Sequence, residues 1–302
     1  MNDHHCHSPP GGLPDLANGT TSPLASHLER LYLEVFPVEG IEDQLAGLPA
    51  GSRIGITCSP KRGLEATLDL VARLQEKGFV LVPHIAARQV RDVAHLRDIV
   101  QRLTDWGVRG LFVPGGDIRV PLGRFDSALM LLRELAGIGH SFEYIGVAAY
   151  PEGHPEIDGG RLLDALAEKQ RLATYMVTQM CFDAGALEKW LHSVRASGIT
   201  LPAWIGLPGV MNRLKLFRTA LRIGVGESAR FARNQTRLAG ELLRSPVYTP
   251  GELLMELEPR MRDPVCGIAG FYLFSFNQVA ETIAWREQML ASFSQQSAAG
   301  GR

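Results

Sequence analysis

Cysteine is scarce and scattered: the 302 residues hold four, Cys6, Cys58, Cys181 and Cys266, with no C-x-x-C pair among them. That spacing excludes a disulfide framework and a zinc knuckle and suits a reducing compartment. No apolar run reaches the roughly 18 residues that a membrane-spanning helix requires, and the basic-then-apolar order of a signal peptide is missing. The expectation is a cytoplasmic protein with no membrane partner. Charge of one sign is also lacking. Lys and Arg number 31 against 32 Asp and Glu, a formal net charge of -1, so composition offers nucleic acid no polycationic surface. A G-x-G-x-x-G loop is absent as well, so the chain carries no dinucleotide-binding fingerprint of that type.

What is present is enough apolar material, 45% of residues, to bury one large core. Residues 1–27 are rich in Pro, Gly, Ser, Asn and Thr and are expected to form a disordered tail, with His4, His5, Cys6 and His7 too loosely held to form a metal site. Residues 294–302 are expected to fray likewise. The catalytic unit is then 28–293, close to the ~250 residues typical of a (β/α)8 TIM barrel.

Between the tails, β-rich runs alternate with helical patterns, the sequence form of repeated βα units around a parallel sheet. Eight strands are expected: Leu31–Phe36, Arg53–Cys58, Val80–Ala86, Gly110–Val113, Tyr144–Tyr150, Tyr175–Phe182, Ala203–Leu207 and Gly270–Phe276. Eight strands point to an α/β fold of the (β/α)8 TIM-barrel class. Leu64, Leu68, Val71 and Leu74 recur at helical spacing, as do Leu131, Leu132 and Leu135. The roughly 60 residues between strands 7 and 8 are too many for a structureless loop, and extra helices are expected there over Arg230–Leu243 and Glu252–Met261, offering a lid or a homo-oligomer interface.

Chemistry in such barrels sits at the C-terminal strand ends. Glu34 lies in the first strand, Thr57 ends the second, His84 is late in the third and Asp117 follows the fourth. Tyr150 and His154 close and follow the fifth, and Gln179 lies in the sixth.

Four segments at these ends, Leu33-Glu34-Val35-Phe36-Pro37, Gly116-Asp117, Ala148-Ala149-Tyr150-Pro151-Glu152-Gly153-His154-Pro155-Glu156 and Thr178-Gln179-Met180-Cys181-Phe182-Asp183, resemble the methylenetetrahydrofolate reductase family in order and near-family spacing. The resemblance implies reduction of 5,10-methylenetetrahydrofolate to 5-methyltetrahydrofolate, a step serving methionine biosynthesis, with FAD carrying hydride from NADH or NADPH. It implies Glu34 as general acid at the leaving nitrogen, where a buried carboxyl group with a raised pKa is suited to the task. It implies Asp117 and Gln179 as catalytic partners facing the pterin. Thr57, His84, Gly116, Asp117, Phe125, Tyr150 and His154 are implied at the cofactor, and Gln179, Lys215 and Gln278 at the folate. Two histidines alone do not suggest a metal site.

The pattern departs from the family where a flavin diphosphate would need cations. Gly115 stands where an arginine is usual, and Asp164, Ala167 and Glu168 replace an Asn and an Arg-Lys pair. Lys169 and Arg171 lie nearby. At the folate end, Gln278 replaces an arginine while Lys215 adds a cation in the seventh-strand loop. Alternatives therefore stay open: direct hydride transfer from the nicotinamide without flavin, a folate-dependent one-carbon transferase, or a non-catalytic folate-binding paralogue.

Overall fold

A computed structural model describes residues 23–222 and 246–300. Eight parallel strands form one sheet: β1 (Tyr32–Val35), β2 (Arg53–Ile56), β3 (Val80–Pro83), β4 (Gly110–Val113), β5 (Tyr144–Ala149), β6 (Tyr175–Thr178), β7 (Ala203–Pro208) and β8 (Ile268–Phe274). The hydrogen-bonded order is β3-β2-β1-β8-β7-β6-β5-β4. A parallel bridge between His84 and Phe112 joins the two outer strands and closes the circle. The fold is a (β/α)8 TIM barrel, with each expected strand found and most of them shorter than expected.

Helices wrap the outside: α1 (Pro23–Glu29), α2 (Ile41–Leu45), α3 (Gly63–Leu74), α4 (Val93–Asp105), α5 (Ala128–Ile138), α6 (Gly159–Lys169), α7 (Ala184–Ala196), α8 (Arg213–Arg222), α9 (Gly251–Met261) and α10 (Val279–Gly300). Their starts are set locally. Asp92, Ser127, Asp158 and Asp183 each accept a backbone N–H of the first turn that would otherwise lack a partner. Leu64, Leu68, Val71 and Leu74 bury the inner face of α3, and Leu131, Leu132 and Leu135 that of α5.

Alternation along the strands divides the apolar residues into two layers. Leu33, Val35, Ile54 and Ile56 face outward into the shell beneath the helices. Tyr32, Val82, Phe112, Tyr175, Val177, Trp204 and Tyr272 fill the barrel interior. Big rings fit there because glycines lie opposite them. A Cβ on Gly146 would lie 2.4 Å from the Tyr175 ring, and one on Gly270 would lie 2.4 Å from Trp204.

Two boundary expectations change. Residues 23–27, expected to belong to the tail, are ordered: Pro23–Glu29 is helical and buries Leu24, Ala25 and Leu28, while His27 meets the Phe271 ring edge-on. At the other end, α10 continues to Gly300 instead of fraying from 294. Between β7 and β8, Glu252–Met261 is helical as expected, within α9. An unexpected antiparallel ladder pairs Met211–Asn212 with Val247–Tyr248, and the Arg230–Leu243 helix lies outside the described residues.

Candidate active site

Every strand of a parallel barrel delivers its C-terminal end to the same face, so period-two alternation decides which residues reach the mouth. On β1, Tyr32 and Glu34 point inward while Leu33 and Val35 pack outward. Glu34 is thus the last inward side chain of its strand, and it is 7% exposed. His84, just past β3, lies beside it, with Nε2 3.8 Å from Glu34 Oε2. Tyr272 of β8 joins them: its hydroxyl is 2.7 Å from His84 Nε2 and hydrogen-bonded to the Glu34 carboxyl group.

This trio is dry, and dryness sets its protonation. Burial pushes the Glu34 carboxyl up to about 8, with the Tyr272 hydrogen bond opposing weakly, so it holds its proton at neutral pH. Burial pushes His84 down to about 3, leaving a neutral imidazole, and drives the Tyr272 hydroxyl well above its ordinary value. A neutral acid held in a hydrogen-bonded network at the mouth of the barrel can give up a proton to a bound base.

The backbone around Glu34 is pinned from β8. Ser275, fully buried, donates its hydroxyl to the Glu34 carbonyl. Asn277 accepts from the Phe36 N–H at 2.8 Å and donates to the Phe36 carbonyl at 3.2 Å. Phe276 and Asn277 both take left-handed backbone, φ 50° and 59°, a costly conformation outside glycine that the clamp helps to hold.

Other expected residues ring the same mouth. Thr57 is 7% exposed, and its hydroxyl oxygen is buried with no partner. Asp117 is exposed on the loop after β4. Burial first, then the Asp117 charge, pushes Tyr150 up to about 12, and burial with a smaller Asp117 contribution raises Cys58 to about 11. Asp117, Tyr150 and Cys58 are therefore electrostatic neighbours. Tyr150 stacks edge-on against His154, with ring centroids 5.2 Å apart, and His154 Nδ1 accepts the Glu156 N–H. Gln179 Oε1 accepts the Met180 N–H at 2.9 Å, which fixes the amide and turns its NH2 into a donor with no partner among the described residues. Gly116 has φ 97° and packs close to Ala86 and Arg88.

Three expected positions stand apart. Phe125 is 1% exposed in the outer apolar shell with Arg124 over its ring, so its faces are already covered. Lys215 is exposed in the first turn of α8, which Asn212 caps. Gln278, half-buried, starts the turn into α10 by donating its N–H to the Ser275 carbonyl.

Sequence reasoning missed Tyr272, Ser275 and Arg88. Tyr272 was within reach, since Gly270, Tyr272 and Phe274 alternate inward along β8. Arg88 follows β3 and donates its N–H to the Gly115 carbonyl, and its Nε is buried without a partner. Nothing in its local sequence marks it.

A family model described as methylenetetrahydrofolate reductase matches residues 50–224, more than half of the chain. Among curated proteins the chain is similar to "Methylenetetrahydrofolate reductase 2" of Saccharomyces cerevisiae, 38% identical over 93 residues, covering 30% of this chain and 15% of that protein. It is similar to "Methylenetetrahydrofolate reductase 1" of Schizosaccharomyces pombe, 41% identical over 69 residues, 22% of this chain and 11% of that one. A "Probable methylenetetrahydrofolate reductase (NADPH)" of Caenorhabditis elegans is 30% identical over 111 residues, 35% of this chain and 16% of that one. The match spans less than a fifth of the length of each of these relatives.

Proposed function

Because the chain belongs to the methylenetetrahydrofolate reductase family, we propose that it reduces 5,10-methylenetetrahydrofolate to 5-methyltetrahydrofolate at the Glu34 mouth, with hydride from NADH or NADPH. The carrying observation is the buried Glu34 carboxyl group beside His84 and Tyr272 at the barrel mouth, which burial keeps protonated at neutral pH where a folate would meet the barrel.

Glu34 gives its proton to N10 of the folate as the bond from N10 to the bridging carbon breaks, leaving an N5 iminium. Hydride from the reduced nicotinamide then forms the third C–H bond of the N5-methyl group, and the nucleotide departs oxidised. Asp117 lowers the energy of the cation that develops at N5. Gln179, its amide oriented by Met180, offers N–H donors to the pterin ring. Tyr272 and His84 hold Glu34 in place and supply the route by which it regains its proton.

The residues fit a flavin poorly. The orphaned Thr57 hydroxyl suits a polar ring, but the positions where the family resemblance expects cations for the diphosphate do not suit phosphate. Gly115 has no side chain, Ala167 packs on the apolar shell, and Glu168 pairs with Arg133. Lys169 is turned inward, its Nζ donating to the Ala148 carbonyl at 3.3 Å. These features support direct transfer from nicotinamide to iminium, with Arg88, whose Nε is buried without a partner among the described residues, meeting the dinucleotide's diphosphate beside Gly116.

Initial-rate kinetics with both substrates varied test this reading. Direct transfer requires both on the protein at once and gives intersecting reciprocal plots. Parallel lines, with a yellow protein, would restore the flavin. An absence of NADH or NADPH oxidation with methylenetetrahydrofolate would leave the transferase or a non-catalytic folate binder.

A further inference from the structure

Away from the mouth, one place among the described residues brings three side chains of metal-ligand type together: a donor atom each from His192, Asp263 and Cys266 lies within 4.8 Å of the other two. His192 comes from α7, one turn before its end, while Asp263 and Cys266 flank the turn that joins α9 to β8. His192 Nε2 is 3.0 Å from Asp263 Oδ2, and Cys266 Sγ is 3.5 Å from the same oxygen. That oxygen is aimed. The Val265 N–H donates to Asp263 Oδ1 at 2.8 Å, which leaves Oδ2 for the imidazole and the thiol. The turn itself is fixed: the Cys266 N–H donates to the Asp263 carbonyl at 3.1 Å, and Arg195 donates to the Val265 and Cys266 carbonyls. Gly267 makes room for that guanidinium, since a Cβ there would lie 2.7 Å from Arg195 Nη2. His192 is exposed, Asp263 half-buried and Cys266 buried, so solvent reaches the cluster from the histidine side.

We propose that His192, Asp263 and Cys266 bind one zinc ion, with a water molecule as the fourth ligand. Imidazole nitrogen, carboxylate oxygen and thiolate sulfur are the donor types zinc takes, whereas magnesium and calcium take oxygen. Tetrahedral zinc with bonds of about 2.0–2.3 Å sets N–O and S–O edges of about 3.4 and 3.6 Å. The observed spacings of 3.0 and 3.5 Å lie close to both. Charge balances as well: one carboxylate and one thiolate neutralise the ion. Glu188, one turn before His192 on α7, adds negative charge that reaches Cys266, and Arg260 holds it at 3.0 Å. On binding, the Cys266 proton passes to solvent as sulfur bonds to the metal, while His192 coordinates through Nε2 and keeps its remaining proton on Nδ1. The ion ties α7 to the turn that enters β8, the strand that delivers Tyr272 to the mouth. Cys266 lies two residues before that strand, at the N-terminal face of the barrel, which serves stability and not chemistry. The inference is independent of the reductase reading.

The test is titration of the reduced full chain with zinc, and with cobalt(II) as its spectroscopic stand-in. His4, His5, Cys6 and His7 offer the same donor types near the N-terminus, so His4→Ala, His5→Ala, Cys6→Ala and His7→Ala are built into every protein of the series. One zinc per chain is expected, with unfolding shifted to higher temperature through binding linkage. Cobalt should give a thiolate-to-metal charge-transfer band and the intense visible bands of a tetrahedral site. His192→Gln should weaken zinc binding at least about tenfold, since loss of even a supporting group beyond the ligands costs roughly 10–100-fold. Cys266→Ser should remove the charge-transfer band. Where that buried substitution prevents folding, the variant at the exposed His192 still decides the case. His140→Gln, in the exposed turn after α5, should bind as the parent does. A parent that binds no zinc, as a plain ion pair would not, overturns the proposal. So does equal binding by the parent and His192→Gln, cobalt bound without a thiolate band, or a band that survives Cys266→Ser.

Discussion

The Tyr272 hydroxyl fills the space that a side chain at Gly55 would need: a Cβ there would lie 2.0 Å from the phenolic oxygen. The glycine on β2 is thus what lets a tyrosine from β8 cross the barrel to His84 and Glu34. Gly55→Ala should force Tyr272 aside, costing about 1–3 kcal/mol of stability as overpacking does. Activity should fall with it, whereas Tyr272→Phe should spare the packing and lose only the hydrogen bonds. Chemical denaturation and kcat on both variants separate the two effects.

Glu34→Gln should reduce kcat by roughly 10²–10⁴-fold, the usual share of a general acid. Its effect on stability should run the other way. The folded-state pKa, about 8, lies above the ordinary carboxyl value of 4.5, so the folded protein keeps a proton that the unfolded chain releases. Stability is fully present below 4.5 and declines as pH rises through 8. The glutamine has no such penalty, so its unfolding midpoint should exceed that of the wild type at pH 9 and converge with it, apart from local packing, at pH 5. A midpoint difference independent of pH would contradict the buried neutral acid.

Acid should unfold the protein through its buried histidines. His84 and His27 are lowered, mainly by burial, to about 3 and about 4 from 6.5. Between those values and 6.5 the unfolded chain binds more protons, so their stabilisation is complete above 6.5 and is lost as pH falls. His27→Phe, which keeps a ring against Phe271, should flatten the decline between pH 6.5 and 4 in urea midpoints. An unchanged slope would count against it.

At the β8–β1 seam, Asn277→Gly should keep the left-handed backbone and lose the two hydrogen bonds to Phe36. Asn277→Ala should lose those bonds and also strain the backbone, and so be the less stable of the two. Both should lower kcat more than they raise KM, because they loosen the acid and leave the folate contacts in place.

The barrel was legible because each strand announces itself by β-rich composition and each helix by its 3.6-residue period; Leu64, Leu68, Val71 and Leu74 are enough to place α3. Glu34, Asp117 and Gln179 could be singled out as candidates because they sit in contiguous, family-like segments. Contacts made across the barrel were not. Tyr272 reaches Glu34 across 238 positions of sequence, and Ser275 and Asn277 act through backbone atoms of β1 and the loop after it, which no local pattern records. Phe125 shows the reverse error: an aromatic at the start of a helix invites a ligand reading, and packing claims it.

The Asn277 clamp also bears on where this chain can be cut and rejoined. The first and last strands of the barrel are neighbours, and the residues that seat the acid straddle their junction. A circular permutant opened at any other βα loop keeps that junction covalently continuous on both sides and should retain its proton donor. One opened at the Ser275–Asn277 turn would assemble the same eight strands around a Glu34 free to wander.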